Sequence, residues 1–278
     1  MIGMACPDDD AKRLFEELAL HTQDRALRAA LVAEGPRVER RAREYLRLAE
    51  AGDLSVFGEE DPVGVTAAQL SGVYDRVLVG GFGRPTYDRI KASAKFRRCP
   101  LCGHRIVKTL DHYLPQTKYP ELAVYPANLV PACADCNKSK LAHVAQTRIE
   151  ETFHPYFDNW GEHCVLGASL EIDEGLTVSY QILDAPGMSP VDMARARHHF
   201  DILQLNELYS SHAAAELSEN KELYRSNFES GPDALRDELL RIATARSRAN
   251  LNSWMAGLYR CLAESEDFYT GGFQQIEE

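Results

Sequence analysis

The sequence has no apolar run that approaches the roughly 18–20 residues needed to cross a bilayer. Its N-terminus also lacks the basic region and apolar stretch that mark a secretory signal. Low-complexity tracts and internal repeats are missing, and with 45% hydrophobic residues the composition argues against wholesale disorder. We therefore expect a globular, cytoplasmic protein that does not act in a membrane.

Positive charge is scarce, since the formal net charge is −11, which argues against a nucleic-acid ligand. The distribution of charge changes this expectation. Residues 84–148 contain 12 Lys and Arg against 4 Asp and Glu, a net charge of +8, whereas both flanking parts are acidic. This basic segment indicates either an anionic partner or a solvated surface beside a metal site.

Cysteine is sparse and unevenly spaced. Of seven cysteines, four form two Cys-x-x-Cys pairs, Cys99 with Cys102 and Cys133 with Cys136. In a cytoplasmic chain this pattern favours metal over disulfides, and Gly103 supplies the tight turn that such a knuckle needs. Four unrelated thiols or a redox pair are the alternatives. We predict a structural zinc site whose four positions are filled by protein, so that the chemistry must come from other residues.

Helical periodicity dominates both ends of the chain, and the central part differs from them. We predict a helical segment over residues 1–94, a compact metal-stapled core over 95–158, and a β-hairpin followed by helices over 159–278. A strand is expected over residues 105–110. The hairpin is expected from alternating patterns over residues 164–172 and 176–183, joined by a turn at 173–175. The predicted fold class is α+β, predominantly helical.

Between and after the cysteine pairs stands an ordered set of polar residues. The pattern Cys-x-x-Cys, Asp-His-x-x-Pro, Asn-Leu-x-x-x-Cys-x-x-Cys-Asn-x-x-Lys is matched throughout residues 99–140, and it includes Asp111, His112, Asn128 and Asn137. Taken singly each residue has an ordinary structural interpretation, such as a satisfied histidine or a helix cap. Only their joint arrangement around one metal site indicates a function.

This pattern resembles the HNH nuclease family, and with its flanks the resemblance covers about 60 residues. It implies a ββα-metal core in which Asp111 binds a catalytic Mg²⁺ or Mn²⁺, His112 is the general base and Asn128 orients the catalytic loop. Asn137 stands where many members have histidine. Its amide oxygen can ligate a hard cation, but the departure puts metal affinity and preference in question.

The resemblance also directs attention to residues around the motif. His154 is a candidate extra ligand or phosphate contact, and the alternative is that it closes the core by packing. Lysines and arginines near the motif are candidate DNA contacts, namely Arg84, Arg89, Lys91, Lys95, Arg97, Arg98, Lys138 and Lys140.

The sequence therefore predicts a metal-dependent DNA endonuclease. Similar HNH proteins occur in bacterial anti-phage systems, which implies an ATPase or another defence subunit as a partner. Two alternatives stay open: a zinc-ribbon module that binds nucleic acid without cleaving it, and a subunit that is silent until a partner engages. A pure ribbon gives no reason for an Asp-His pair and two asparagines at these spacings.

Overall fold

The computed structural model describes residues 1–140, 144–173 and 175–277. Contacts divide the chain into two compact units, Ile2–Asp158 and Asn159–Glu278 together with Met1. The predicted α+β, mostly helical class is confirmed, while the three-part division stays a prediction. In the described ranges no helix is both long and apolar enough to cross a membrane.

The first unit begins with helices that start where the sequence places capping residues. Asp10 and Asp24 each accept a backbone N–H at a helix start, and Thr66 with Gln69 forms a reciprocal capping box. A six-residue π-helical stretch, Tyr74–Val79, continues the fourth helix. The helices are α1 (Ala11–Leu20), α2 (Arg25–Ala33), α3 (Gly35–Glu50), α4 (Ala67–Val73) and α5 (Arg84–Ala92).

A strand–strand–helix arrangement follows these helices. Strand β1 (Thr109–His112) pairs antiparallel with β2 (Leu129–Ala132), so that Asp111 lies opposite Val130 and His112 opposite Leu129. Helix α6 (Ala134–Lys140) starts two residues after β2 ends. The loop between the strands contains two short 3₁₀ turns, Pro120–Leu122 and Pro126–Asn128.

One hydrophobic core joins the helices to this sheet. Leu110 and Leu129 are at most 3% exposed and cluster with Leu18 of α1 and Leu78 of the π-helical stretch. The predicted strand over residues 105–110 was placed too early. Residues 99–105 form a cysteine turn, and β2 offers ladder partners only as far as Ala132, so pairing begins at Thr109.

The second unit contains the hairpin that the alternating pattern predicted. Its strands are β3 (Leu166–Ile172) and β4 (Leu176–Ile182), and the predicted turn includes Glu174, which lies outside the described residues. Buried Asn252 accepts from Val165 N–H and Leu166 N–H, which anchors the start of β3. The helices are α7 (Pro190–Ile202), α8 (Leu205–Glu219), α9 (Lys221–Phe228), α10 (Pro232–Ala249), α11 (Trp254–Glu264) and α12 (Glu266–Tyr269).

Gly83 lies before α5, in close contact with α1 and the π-helical stretch. A Cβ added there would lie 2.5 Å from Leu18 Cδ2 and 2.8 Å from the backbone Cα of Leu78. A Cβ at Gly58 would meet nothing within 4 Å. We expect Gly83→Ala to lower the unfolding temperature by several degrees because backbone must shift, whereas Gly58→Ala leaves it unchanged or slightly raised. Thermal denaturation followed by circular dichroism measures both, and equal behaviour of the two variants would contradict this packing.

Candidate active site and metal centre

The four paired cysteines meet in one buried cluster. The sulfurs of Cys99, Cys102, Cys133 and Cys136 all lie within 4.8 Å of one another. Tetrahedral Zn–S bonds of about 2.3 Å place the sulfurs about 3.8 Å apart, which lies within this limit, so the donor set fits a zinc site. Hydrogen bonding between neighbouring sulfurs, foremost with Cys102, raises the pKa of the Cys99 and Cys136 thiols. A bound cation would reverse this direction by stabilising thiolates. The predicted four-cysteine metal site is confirmed as an arrangement of donors.

Two backbone turns form the cluster. Gly103 adopts a φ of +66°, a left-handed conformation that favours glycine, and its N–H donates to Cys99 O at 2.7 Å. Backbone N–H groups also point at sulfur, from Arg105 to Cys102 Sγ and from Cys136 to Cys133 Sγ, both at 3.4 Å. These local hydrogen bonds orient the thiols of each pair.

Asp111 lies buried at the other end of the sheet, paired with Lys140. The ammonium Nζ is 2.8 Å from Asp111 Oδ2 and also donates to the carbonyls of His112 and Tyr113 at 2.9 Å. Burial raises the pKa of Asp111, and the charge of Lys140 opposes that shift. Lys140 was predicted to contact DNA, but its side chain is only 4% exposed and serves Asp111 instead. It joins the last residue of α6 to the end of β1.

His112 is held in one orientation at the end of β1. Its Nε2 lies 2.8 Å from Ala123 O, and because a carbonyl only accepts, Nε2 carries the proton and Nδ1 has the free lone pair. The ring of Tyr74 packs edge-on with centroids 4.5 Å apart. Burial lowers the pKa of His112 to about 4. The imidazole is therefore neutral near pH 7, in the state that can accept a proton.

Asn128 organises the loop between the strands. Its Oδ1 accepts from Leu114 N–H at 2.8 Å, and its Nδ2 donates to the carbonyls of Leu114 at 3.0 Å and Leu122 at 3.3 Å. The residue is fully buried. These three bonds fix the two ends of the loop relative to each other, which is the geometry that a loop-orienting residue needs.

Asp111 and Asn137 are the candidate ligands for a divalent cation. The hydrogen bond from Lys140 occupies Asp111 Oδ2, and within the described residues no hydrogen bond engages Oδ1. Asn137 precedes Lys140 by three positions on α6, so both side chains face the same side of that helix. A carboxylate oxygen and an amide oxygen suit Mg²⁺ or Mn²⁺. The nearby ammonium of Lys140 opposes a cation, so we expect its affinity to be modest.

His154 lies in an aromatic cluster. Its Nε2 is 2.8 Å from Tyr45 Oη, and its Nδ1 accepts from Tyr156 N–H at 3.3 Å. The rings of Tyr113 and Phe157 pack on it with centroids 4.1 and 4.6 Å away. Because the ring is 2% exposed and both nitrogens are engaged, its environment fits the packing alternative better than a phosphate contact.

The predicted DNA contacts fall into two groups. Lys95, Arg97, Arg98 and Lys138 are exposed. The others are held by acids: Arg84 and Lys91 contact Asp88 at 2.9 and 3.2 Å, and Arg89 contacts Asp9. The first group is therefore better placed to meet a phosphate backbone.

Sequence reasoning missed a buried ion pair behind the site. Arg41 of α3 lies 2.7 Å from Glu121 Oε1 in the loop between the strands, and the side chains are 4% and 0% exposed. Glu121 is two residues before Ala123, whose carbonyl positions His112. A lone acid in the apolar stretch Tyr119–Val124 was the available signal, but nothing in the sequence indicated its partner 80 residues away.

The fold and donors define a helical α+β protein with a candidate metal-binding four-cysteine cluster beside a strand–strand–helix site. The chain is 28% identical over 272 residues to Protein ea31 of Escherichia phage lambda, a match that covers 88% of this chain and 91% of that protein. No protein-family model and no solved structure matches the chain.

Removal of the metal tests the cysteine cluster. We expect Cys136→Ser to abolish stoichiometric zinc binding and to unfold the site at markedly lower temperature, because structural zinc contributes folding free energy directly. Cys164→Ser, outside the cluster, should retain zinc and stability. Metal analysis of the purified proteins and thermal unfolding with and without a chelator measure both effects. Equal zinc content in the two variants would contradict the assignment.

The buried ion pair makes a quantitative prediction. Arg41→Met should cost about 3–5 kcal/mol of unfolding free energy, because it leaves Glu121 without its closest cation. The double variant Arg41→Met/Glu121→Gln should recover part of that loss. Arg43→Met on the same helix, whose side chain is 74% exposed, should cost less than about 1 kcal/mol. Urea unfolding measures all three, and a double variant no more stable than Arg41→Met would argue against the pair.

Proposed function

We propose that the chain is a metal-dependent endonuclease of the HNH type that hydrolyses phosphodiester bonds in DNA. The observation that carries the proposal is the orientation of His112. Its protonated Nε2 is fixed by Ala123 O at 2.8 Å, which leaves Nδ1 as a proton acceptor on the residue adjacent to Asp111. The four-cysteine cluster, the strand–strand–helix order and the hydrogen bonds of Asn128 support the same assignment.

In the proposed reaction His112 acts as the general base. Its Nδ1 takes a proton from a water molecule whose oxygen attacks phosphorus, and the bond from phosphorus to the 3′ oxygen breaks. The leaving oxygen gains a proton from solvent. Because the pKa of His112 is lowered to about 4, the ring is available as a base throughout the neutral range, although it is a weak one.

Asp111 and Asn137 would hold the divalent ion. When bound, the ion supplies a Lewis acid that stabilises charge on the scissile phosphate and on the leaving oxygen. Asn128 positions the loop whose Ala123 carbonyl orients the base. The exposed Lys95, Arg97, Arg98 and Lys138 would contact the DNA backbone.

A second candidate function rests on one observation. Lys140 already neutralises Asp111, with Nζ and Oδ2 2.8 Å apart, so the carboxylate has a cation partner without any metal. This pairing favours a zinc-stapled module that binds nucleic acid without cleaving it. The role in anti-phage defence and the ATPase partner also stay proposals. The similar protein comes from a phage, and a phage protein could equally serve the phage itself.

Cleavage of supercoiled plasmid tests the proposal. We expect zinc-loaded protein to nick or cut DNA when Mg²⁺ or Mn²⁺ is added, and His112→Ala to lose about 10²–10⁴-fold in rate because the general base is gone. His163→Ala, in the second unit, is the matched control and should cleave normally. All proteins must carry equal zinc, so that a folding defect is not read as loss of chemistry.

The other outcomes separate the candidates. DNA binding without cleavage under any ion would favour the binding module. Cleavage only after a cell extract is added would favour a subunit awaiting its partner. Unchanged cleavage by His112→Ala would place the active site elsewhere.

A further inference from the structure

An exposed apolar ring lies in a strongly basic stretch of the chain. Phe96 is 83% exposed, the highest value among the large hydrophobic residues of the described chain. It belongs to the Phe96 loop, residues 95–98, directly before Cys99 of the first knuckle. An isolated β-bridge pairs Arg98 of this loop with Ile106, a second apolar residue that is 55% exposed. A single exposed apolar side chain is ordinary, so what sets Phe96 apart is the backbone beneath it and the charge around it.

The backbone beneath this ring is strained. Phe96 and Arg97 have φ of +55° and +56°, a left-handed conformation that side chains with a Cβ disfavour. Hydrogen bonds hold it, from Arg97 N–H to Ala94 O at 2.8 Å and from Val107 N–H to Arg97 O at 2.8 Å. Strain of this kind persists where the surroundings fix it, and it concentrates at functional sites.

The surrounding charge is of one sign. Residues 89–110 contain seven Lys and Arg and no Asp or Glu, in a chain whose net charge is −11. Lys95 Nζ lies 5.3 Å from the centre of the Phe96 ring. Within the described residues neither Lys95 nor Arg97 has an acidic partner within 4.0 Å. An aromatic face flanked by unpaired cations matches a nucleic-acid strand, whose bases stack on aromatic rings while phosphates meet cations.

We propose that Phe96 stacks on, or wedges between, DNA bases beside the cleavage site, with Lys95 and Arg97 on the flanking phosphates. This inference rests on the proposed function, because it adds a base contact to the surface that is proposed to bind the DNA backbone. Arg97 is bonded to Val107, which is five residues before His112. An extended chain of that length spans at most about 17 Å. The Arg97–Val107 pairing and the side chains of Phe96 and His112 add to that reach, so the stacked base is expected within about one helical turn of the scissile phosphate, roughly 34–36 Å.

Substitutions at Phe96 distinguish an effect on DNA binding from an effect on the stability of the protein. In zinc-loaded protein without Mg²⁺ or Mn²⁺, we expect Phe96→Asn to weaken binding of a fluorescein-labelled DNA duplex by on the order of tenfold. Its unfolding temperature should be unchanged or higher, because Asn tolerates the left-handed conformation. Phe96→Trp should retain affinity, and Phe96→Leu should not, since leucine has no aromatic face. Val63→Asn, at a residue 78% exposed in an acidic segment, is the control and should bind normally.

Two further measurements report base stacking and phosphate contact separately. In a series of duplexes with 2-aminopurine at successive positions within one helical turn of the mapped cut, at least one position should change fluorescence with wild-type protein and none with Phe96→Asn. Lys95→Gln should lower the slope of log affinity against log salt by about one.

Three results would overturn the inference. One is that wild-type protein cleaves DNA and the Phe96→Asn or Phe96→Leu variant binds DNA with the same affinity as wild type. Another is a Phe96 dependence seen only for phosphatidylserine vesicles, with DNA binding unchanged. The third is a wild-type protein that neither binds nor cleaves DNA, which would remove the proposed function as well.

Discussion

The cluster of four cysteine sulfurs is the constraint on which the candidate site depends. Strands β1 and β2 have four residues each, and a two-stranded sheet of that size is marginal in water. One cysteine pair precedes β1 and the other begins immediately after β2, so a metal bound by all four sulfurs ties both strands and the start of α6 together. Lys140 fastens the end of α6 to β1 at its Asp111 end. The short helix is thereby held at both ends, and β1 can present Asp111 and His112 in fixed positions.

The loop between the strands is fixed by contacts from three directions. Asn128 bonds its two ends, His112 bonds the carbonyl of Ala123, and Arg41 pairs with Glu121 from α3. The N-terminal helices therefore do more than flank the site, because one of them supplies a buried charge to the loop that orients His112. This explains physically why residues 2–158 form one compact unit. The acidic net charge does not describe every part of the surface, since Lys95, Arg97 and Arg98 are exposed directly before the first cysteine turn.

Much of this arrangement was readable from the sequence because its signals are local. Cys-x-x-Cys spacing predicted the sulfur cluster, and alternation predicted the hairpin within two residues at its start and one at its end. Helix starts carry local signals of the same kind, a capping carboxylate at Asp10 and a capping box at Thr66. The two contacts that were not predicted join residues far apart in the chain. Such pairs leave no periodic pattern in the sequence. The Arg41–Glu121 pair spans 80 residues, and the Lys140–Asp111 pair makes a residue predicted to contact DNA into a buried partner of the proposed metal ligand. Spacing alone could not reveal either, because both depend on how the helices pack against the loop and the strand.

The central claim is that Asp111 and His112 form a one-metal hydrolytic site, and diffraction from crystals soaked in Mn²⁺ tests it most directly. We expect an anomalous manganese peak at Asp111, beside Asn137 and separate from the cysteine cluster, with His112 still bonded to Ala123 O. A cysteine cluster filled with zinc, an intact Asp111–Lys140 pair and no manganese at Asp111 even at high concentration would contradict it. That result would leave a zinc-stapled binding module as the better description of the molecule.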